Sequence, residues 1–260
     1  ERVLFPEPCY TNSGKLWACT GPKNRWIMTR FVKGTYYDGN EAVLYEIGHQ
    51  IGILFSYLRK QVNASKFLGQ RHFFQKDDLE AFRILQTRVR RGTLNTSHPM
   101  EEIFANDWQT IEREFTGGYQ FWQQLKNKKM VPCHIDLHPH NILIRDGHVV
   151  SFLDLDSILY SYPVTTIGYA EFKLMRNLVA RQKNKISVVE LSRIRKRFIK
   201  AICKSKVLAQ GDIEQLKQGA KTELLKRYLY IARQYFVFRR TDWAHFLGPF
   251  SNGFSEIDVL

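Results

Sequence analysis

The sequence predicts an α+β protein: a small β-rich N-terminal piece followed by a large, mostly helical body that carries one β-hairpin. Three observations lead there. Positions 1–34 alternate turn residues with short strand-like runs. From Asn40 onward, apolar residues recur with helical period over most of the chain. Around 129–153 that pattern gives way to short apolar runs rich in β-branched residues, joined by Arg145-Asp146-Gly147.

Taken in order, Thr11-Asn12-Ser13-Gly14 and Gly21-Pro22-Lys23-Asn24 carry turn chemistry. They flank Leu16–Cys19 and Trp26–Val32, which read as the strands of a small hairpin. Val43, Ile47, Ile51, Leu54 and Leu58 then share one face of a helix for which Asn40 is the N-cap. Further helices are expected at 77–91, capped by Asp77, and at 99–127, 165–182, 187–206, 212–218 and 221–240. Between the third and fourth helices, Asn141–Ile144 and His148–Leu153 form a hairpin, because Asp-Gly suits the positive-φ positions of a tight turn. No internal repeat or low-complexity linker interrupts the chain.

At 260 residues with 44% apolar composition, the chain suffices for one large domain or two lobes. No apolar run approaches the roughly 18 residues that span a bilayer, and the opening ERVLFPEPCY lacks the layout of a signal peptide. The expectation is a soluble, cytoplasmic protein. Cys9, Cys19, Cys133 and Cys203 are scattered without CxxC spacing and read as reduced thiols. Thirty-nine Lys and Arg against 25 Asp and Glu give a net charge of +14, which favours anionic partners without choosing among nucleotides, nucleic acid and lipid. No specific nucleic-acid motif accompanies that charge. The basic run from Arg193 to Arg197 alternates with Leu191, Ile194, Phe198, Ile199 and Ile202, the pattern of a packed helix with a solvated outer face. The aromatic residues Tyr228, Tyr230, Tyr235, Phe236, Phe238, Trp243 and Phe246 read as core and cleft wall of the helical part.

The chemistry concentrates in HIDLHPHN, His134 to Asn141. A metal cage would use His134, Asp136, His138 and His140, which share a face if the segment is a strand; Pro139 breaks such a strand and no second ligand cluster completes it. A polar surface loop accounts for one histidine but not for the acidic and amide residues spaced beyond it. Five positions after Asp136 comes Asn141, and after the hairpin comes Phe152-Leu153-Asp154-Leu155-Asp156. Phosphoryl transfer from a nucleotide needs this set: one carboxylate for the acceptor hydroxyl, and an amide oxygen with a second carboxylate for magnesium.

HIDLHPHNIL followed by FLDLDS resembles the catalytic loop and metal-binding aspartate of the aminoglycoside phosphotransferase and choline kinase family, where HGDLHPGN precedes an apolar-Asp-apolar-Asp sequence. The likeness is strong over 130–157 and extends weakly outward: Trp26–Gly34 resembles the last N-lobe strands and hinge, and the helix after Asn40 the first C-lobe helix. The resemblance implies a protein-kinase-like fold, with residues 1–34 as partial N-lobe and hinge and 35–260 as helical C-lobe. It implies an ATP- or GTP-dependent, Mg2+-dependent phosphotransferase acting on a hydroxyl of a small molecule. Asp136 would be the catalytic base and Asn141 and Asp154 the metal ligands. His134 would hold the loop, His138 would shape it, and Asp156 would be an accessory acid. The backbone of Thr29, Arg30, Phe31 and Val32 would meet the nucleotide base. Ile135 and His140 stand where the family usually has glycine.

Enzymes of this kind carry a nucleotide-covering loop, a strand lysine and a helical glutamate before the hinge. The few residues before Thr29 are too short for all three, and Lys15, just after the Asn-Ser-Gly turn, is badly placed to be that lysine. These elements are therefore expected upstream of residue 1. The alternative is a catalytically inactive kinase-fold protein that acts as a binding or scaffold module. A cationic aminoglycoside or choline calls for acceptor-site carboxylates; the basic composition disfavours polycations, and Glu171, Asp242 and Glu256 are the acidic candidates.

Overall fold

The computed structural model describes residues 5–15, 18–19, 25–60, 68–183 and 185–260, without the side chains of residues 18, 19, 25 and 26. The N-terminal strands are very short. β1 (Pro8–Cys9) pairs antiparallel with β4 (Met28–Thr29), and β2 (Ala18–Cys19) with β3 (Arg25–Trp26), one nested inside the other. The turn at Thr11–Gly14 forms as expected: the Gly14 amide donates to the Thr11 carbonyl at 2.8 Å, and Gly14 takes φ +72°. The turn expected at residues 21–24 and the start of the strand at Leu16–Trp17 lie outside the described residues. Cys9, Cys133 and Cys203 are free thiols.

β5 (Thr35–Tyr36) leads into α1 (Glu41–Arg59). Asn40 caps α1 as expected, its side chain accepting from the Ala42 amide at 3.0 Å, and Val43, Ile47, Ile51, Leu54 and Leu58 are all buried. In α2 (Lys76–Arg90) the cap is Gln75 rather than Asp77. Asp78, one position further on, accepts from the Gln75 amide at 3.1 Å, which moves the helix start back. α3 (Pro99–Leu125) and α4 (Pro163–Arg181) both begin on a proline, whose fixed φ and missing donor suit a first helical position. α5 (Val188–Cys203) is capped by Ser187 and buries Leu191, Ile194, Phe198, Ile199 and Ile202, leaving Arg193, Lys196, Arg197 and Lys200 outward while Arg195 turns in to pair with Glu171.

The helical C-terminal part departs from the sequence expectation in two places. The break between α6 (Gln210–Glu214) and α7 (Leu216–Phe236) falls at Gln215, so Gly219 lies inside a helix. Gly219 is there because α7 crosses α4 at backbone contact: a Cβ on Gly219 would lie 2.4 Å from the Val164 carbonyl oxygen, and one on Gly168 2.2 Å from that of Leu216. α8 (Leu247–Val259) has no counterpart among the expected helices, since Gly248, Pro249 and Gly253 are weak helix formers. Burial of Leu247, Phe254 and Ile257 holds it. No helix among the described residues is long and apolar enough to cross a membrane.

Two small sheets sit in the middle of the chain. The expected hairpin is β7 (Ile142–Arg145) and β8 (His148–Phe152), turning through Asp146 and Gly147 at φ 52° and 78°. β5 adds to its edge in the order β5-β7-β8, with Tyr36 opposite Leu143. Missed from sequence is the second pair, β6 (Val131–His134) with β9 (Ile158–Ser161), which places His134 opposite Ile158. The two pairs together hold the His134–Asn141 segment and the Asp154 segment at fixed separation.

Candidate active site

His134 is fully buried and has both ring nitrogens engaged. Its Nδ1 accepts from the Asp136 amide at 3.3 Å, so Nε2 carries the proton and donates to the Leu153 carbonyl at 2.8 Å. Burial, partly offset by that carbonyl and by Asp154 and Asp136, lowers its pKa below the ordinary imidazole value. One neutral imidazole thus ties the loop bearing Asp136 to the residue just before Asp154. With both nitrogens occupied it offers no lone pair to a metal, which removes the histidine-cage reading at its first member.

His138 begins a short 3-10 turn over Pro139–Asn141, its Nδ1 accepting from the His140 amide at 3.3 Å. Its Nε2 lies 3.6 Å from an Asp136 carboxylate oxygen. Burial lowers its pKa, against the pull of Asp136 and with help from Lys173. The Tyr37 amide donates to the Pro139 carbonyl at 3.3 Å, and the Tyr36 ring packs edge-on against His140, so β5 braces this turn.

Asn141 is buried at the end of the loop. Its side-chain amide donates to the Asp136 carbonyl at 2.8 Å, which fixes the flip and leaves Oδ1 as an acceptor. Its own carbonyl accepts from the Leu153 amide at 3.0 Å. Asn141 therefore touches the backbone on either side, at Asp136 and next to Asp154. Asp154 stands in the left-handed region at φ 57°, ψ 55°, with its side chain exposed and one oxygen bonded by the Ser157 hydroxyl at 2.5 Å. A non-glycine residue held there is strained, and such strain gathers at ligand sites. An amide oxygen and an outward carboxylate are hard donors of the kind Mg2+ takes beside phosphate oxygens, so the pair fits that ion.

Asp156 is exposed and forms no hydrogen bond or ion pair among the described residues; the contact that orients Asp154 comes from Ser157. Thr29 lies in β4, and the Arg30 amide donates to the Glu7 carbonyl at 2.7 Å while its side chain pairs with Glu7. Phe31 is 92% exposed. No hydrogen bond among the described residues joins Thr29–Val32 to the Asp136 loop.

Arg227, on α7, is a member of the site that sequence reasoning missed. Its guanidinium reaches an Asp136 carboxylate oxygen at 3.1 Å, the Ile135 carbonyl at 2.9 Å and Glu223 at 3.0 Å, and lies 4.4 Å over the Tyr169 ring. Glu223 is fully buried and also takes Arg71 at 2.5 Å. The only sequence signal was the Glu223/Arg227 spacing of four on one helix, and it says nothing about a loop some ninety positions away. Ile135, where the resemblance leads one to expect glycine, is accommodated: its amide donates to the Ser157 carbonyl at 2.9 Å while its carbonyl serves Arg227.

Asp136 opens onto a cavity of about 740 Å3 walled by one face of α4, one face of α7 and the segment leading into α8. Tyr230, Trp243, Phe246 and Phe250 supply its aromatic side. Glu171 is elsewhere, buried against Arg195, and neither Asp242 nor Glu256 lines this space.

No curated protein sequence matches the chain. Among solved structures, spectinomycin phosphotransferase bound to ADP and spectinomycin aligns at TM-score 0.63 and 14% identity, over 98% of this chain and 76% of that one. Choline kinase from Cryptosporidium parvum Iowa II aligns at 0.59 and 12%, over 98% and 73%. Plasmodium vivax ethanolamine kinase aligns at 0.56 and 15%, over 95% and 67%. At these identities the likeness shows the kinase-like fold. The model of the phosphotransferase enzyme family matches residues 3–183, a stretch that holds His134, Asp136, Asn141 and Asp154, and the chain belongs to that family.

Proposed function

We propose that this chain transfers the γ-phosphoryl group of ATP or GTP to a hydroxyl of a small molecule bound in the cavity at Asp136. The observation that carries the reading is the pair of bonds from Asn141, to the Asp136 carbonyl and from the Leu153 amide, which joins the expected base and metal ligands in one unit. In this reading Asp136 accepts or orients the acceptor's proton, with Arg227 and His138 fixing its carboxylate. Mg2+ on Asn141 and Asp154 would neutralise charge on the nucleotide phosphates. Residues 1–34 serve as partial N-lobe and hinge, with the backbone of Thr29–Val32 toward the base, and residues 35–260 as the helical lobe. That spectinomycin phosphotransferase and choline kinase share the fold supports a small-molecule acceptor.

The test is a calorimetric titration with Mg-ATP of the wild type, Asp154→Ala and Asp136→Ala, beside a transfer assay. Binding should need both magnesium and Asp154, while Asp136→Ala should bind normally and lose turnover by about 10²-fold or more. Full turnover in Asp136→Ala would refute the assignment of the base. Absence of magnesium-dependent binding would leave a kinase-fold binding module instead.

A further inference from the structure

The cavity next to Asp136 is basic in an uneven way. Four cationic side chains line it: Arg71, Lys173, Arg176 and Arg227. Three are committed. Arg71 and Arg227 share buried Glu223, Arg227 also holds Asp136, and Arg176 pairs with Glu256 at 2.9 Å. Lys173 forms no hydrogen bond or ion pair with any described residue, although it is half-buried on the face of α4 that Tyr169, Arg176 and Asn177 also present to the cavity. A half-buried ammonium without a partner is costly, and proteins keep one where a ligand supplies the missing anion. Burial, reinforced by Arg176 and Arg227 and only partly offset by Asp136 and Glu256, holds the Lys173 pKa below the ordinary lysine value. An anion placed beside it would relieve both causes.

The opposite occupant fits poorly. Of the residues that line the cavity, Asp136 is the one carboxylate, and it already serves Arg227 and the proposed reaction. A cationic acceptor would find no other negative group there and would face Lys173. Asn141 and Asp154 do not themselves line the cavity, although Ser157, whose hydroxyl bonds Asp154, does. The volume suits a small molecule, and Tyr230, Trp243, Phe246 and Phe250 offer flat apolar surface for its remainder.

We infer that the acceptor is an anionic alcohol, a hydroxyl compound bearing a phosphate or carboxylate group that pairs with Lys173 while its hydroxyl meets Asp136. The inference rests on the phosphotransferase reading for the role of the hydroxyl, but the oxyanion site can be tested apart from it.

Acetylation of Lys173 by acetic anhydride, followed by peptide mass spectrometry at constant pH and ionic strength, reads occupancy at one residue. Glycerol 3-phosphate and 3-hydroxybutyrate are the anionic probes, glycerol the neutral one and choline the cationic one. At about ten times its Kd, an anionic probe should slow acetylation about tenfold, with glycerol and choline without effect. Which anionic probe protects better distinguishes phosphate from carboxylate. Equal protection by choline or glycerol, or protection by Mg-ATP with none from the anionic alcohols, would overturn the inference. A transfer assay on the same four compounds adds a second reading: Lys173→Met should raise KM for an anionic acceptor at least about tenfold and leave Mg-ATP binding unchanged. Anion protection without magnesium-dependent ATP binding would sink the phosphotransferase reading and keep the oxyanion site. ATP binding without anion protection would do the reverse.

Discussion

Removal of the Arg227 guanidinium tests the site where the architecture concentrates most on one side chain. Arg227→Met keeps the apolar stem and deletes the fork, which makes contacts at 3.1 Å to Asp136, 2.9 Å to the Ile135 carbonyl and 3.0 Å to Glu223. Glu223, with no exposed surface, would retain Arg71 alone. Breaking a buried pair outright costs about 3–5 kcal/mol, and because Arg71 stays on Glu223 the loss here should fall at the low end of that range. Set against a typical stability of about 5–15 kcal/mol, that is a large fraction. Arg227→Lys keeps a charge but not the planar fork, and should fall between wild type and Arg227→Met. The measurement is urea unfolding, read as a shift of midpoint at constant m. Glu223→Gln should cost less in the Arg227→Met background than in the wild type, by about 1 kcal/mol or more, since one of the two partners of Glu223 is already gone while Arg71 remains. If Arg227→Met lost less than about 1 kcal/mol, or if the two substitutions were additive, the view of Arg227 as the anchor of the Asp136 loop would be wrong.

Three more outcomes rest on the same geometry. Asp154→Gly should be about 1 kcal/mol more stable than Asp154→Ala, because only glycine sits at φ 57° without a Cβ penalty, while both lose magnesium-dependent ATP binding; equal stability in chemical denaturation would show that Asp154 is unstrained. The lowered His134 pKa means that below about pH 6.5 the unfolded chain takes up a proton that the folded chain refuses, so this residue's contribution is present above that pH and lost as pH falls. His134→Gln should flatten the stability curve between about pH 7 and pH 5, and an unchanged slope would argue against a neutral buried ring. Gly168→Ala and Gly219→Ala should each destabilise by about 1–3 kcal/mol or more, since their new Cβ atoms would fall 2.2 Å and 2.4 Å from carbonyl oxygens of the facing helix. Thermal melts matching wild type would show that α4 and α7 slide apart freely.

The geometry of the His134–Asn141 segment was legible because its logic is local. Asp136, Asn141 and Asp154 are joined by a short hairpin whose Asp146-Gly147 turn announces itself, and His134 sits two positions from the Asp136 amide that donates to it. α1 was equally readable, since its cap and its buried stripe are set by spacing along one helix. The cap of α2 shows the limit: two adjacent aspartates look alike in sequence, and which one reaches back to the amide depends on how the helix docks.

What tertiary structure alone decided is everything that depends on distant segments meeting. β6 and β9 are ordinary runs until they pair, and α8 forms because its apolar face finds α7 rather than because its residues favour a helix. Gly219 reads as a break in one dimension and is a helix crossing in three. The placement of Arg227 and Lys173 at the mouth of Asp136 comes from the packing of α4 on α7, which turns two scattered positive charges into an anchor and an unpaired ammonium. Sequence periodicity records which face of a helix is apolar; it does not record which partner that face will meet, and the charge of the cavity is settled only at that meeting.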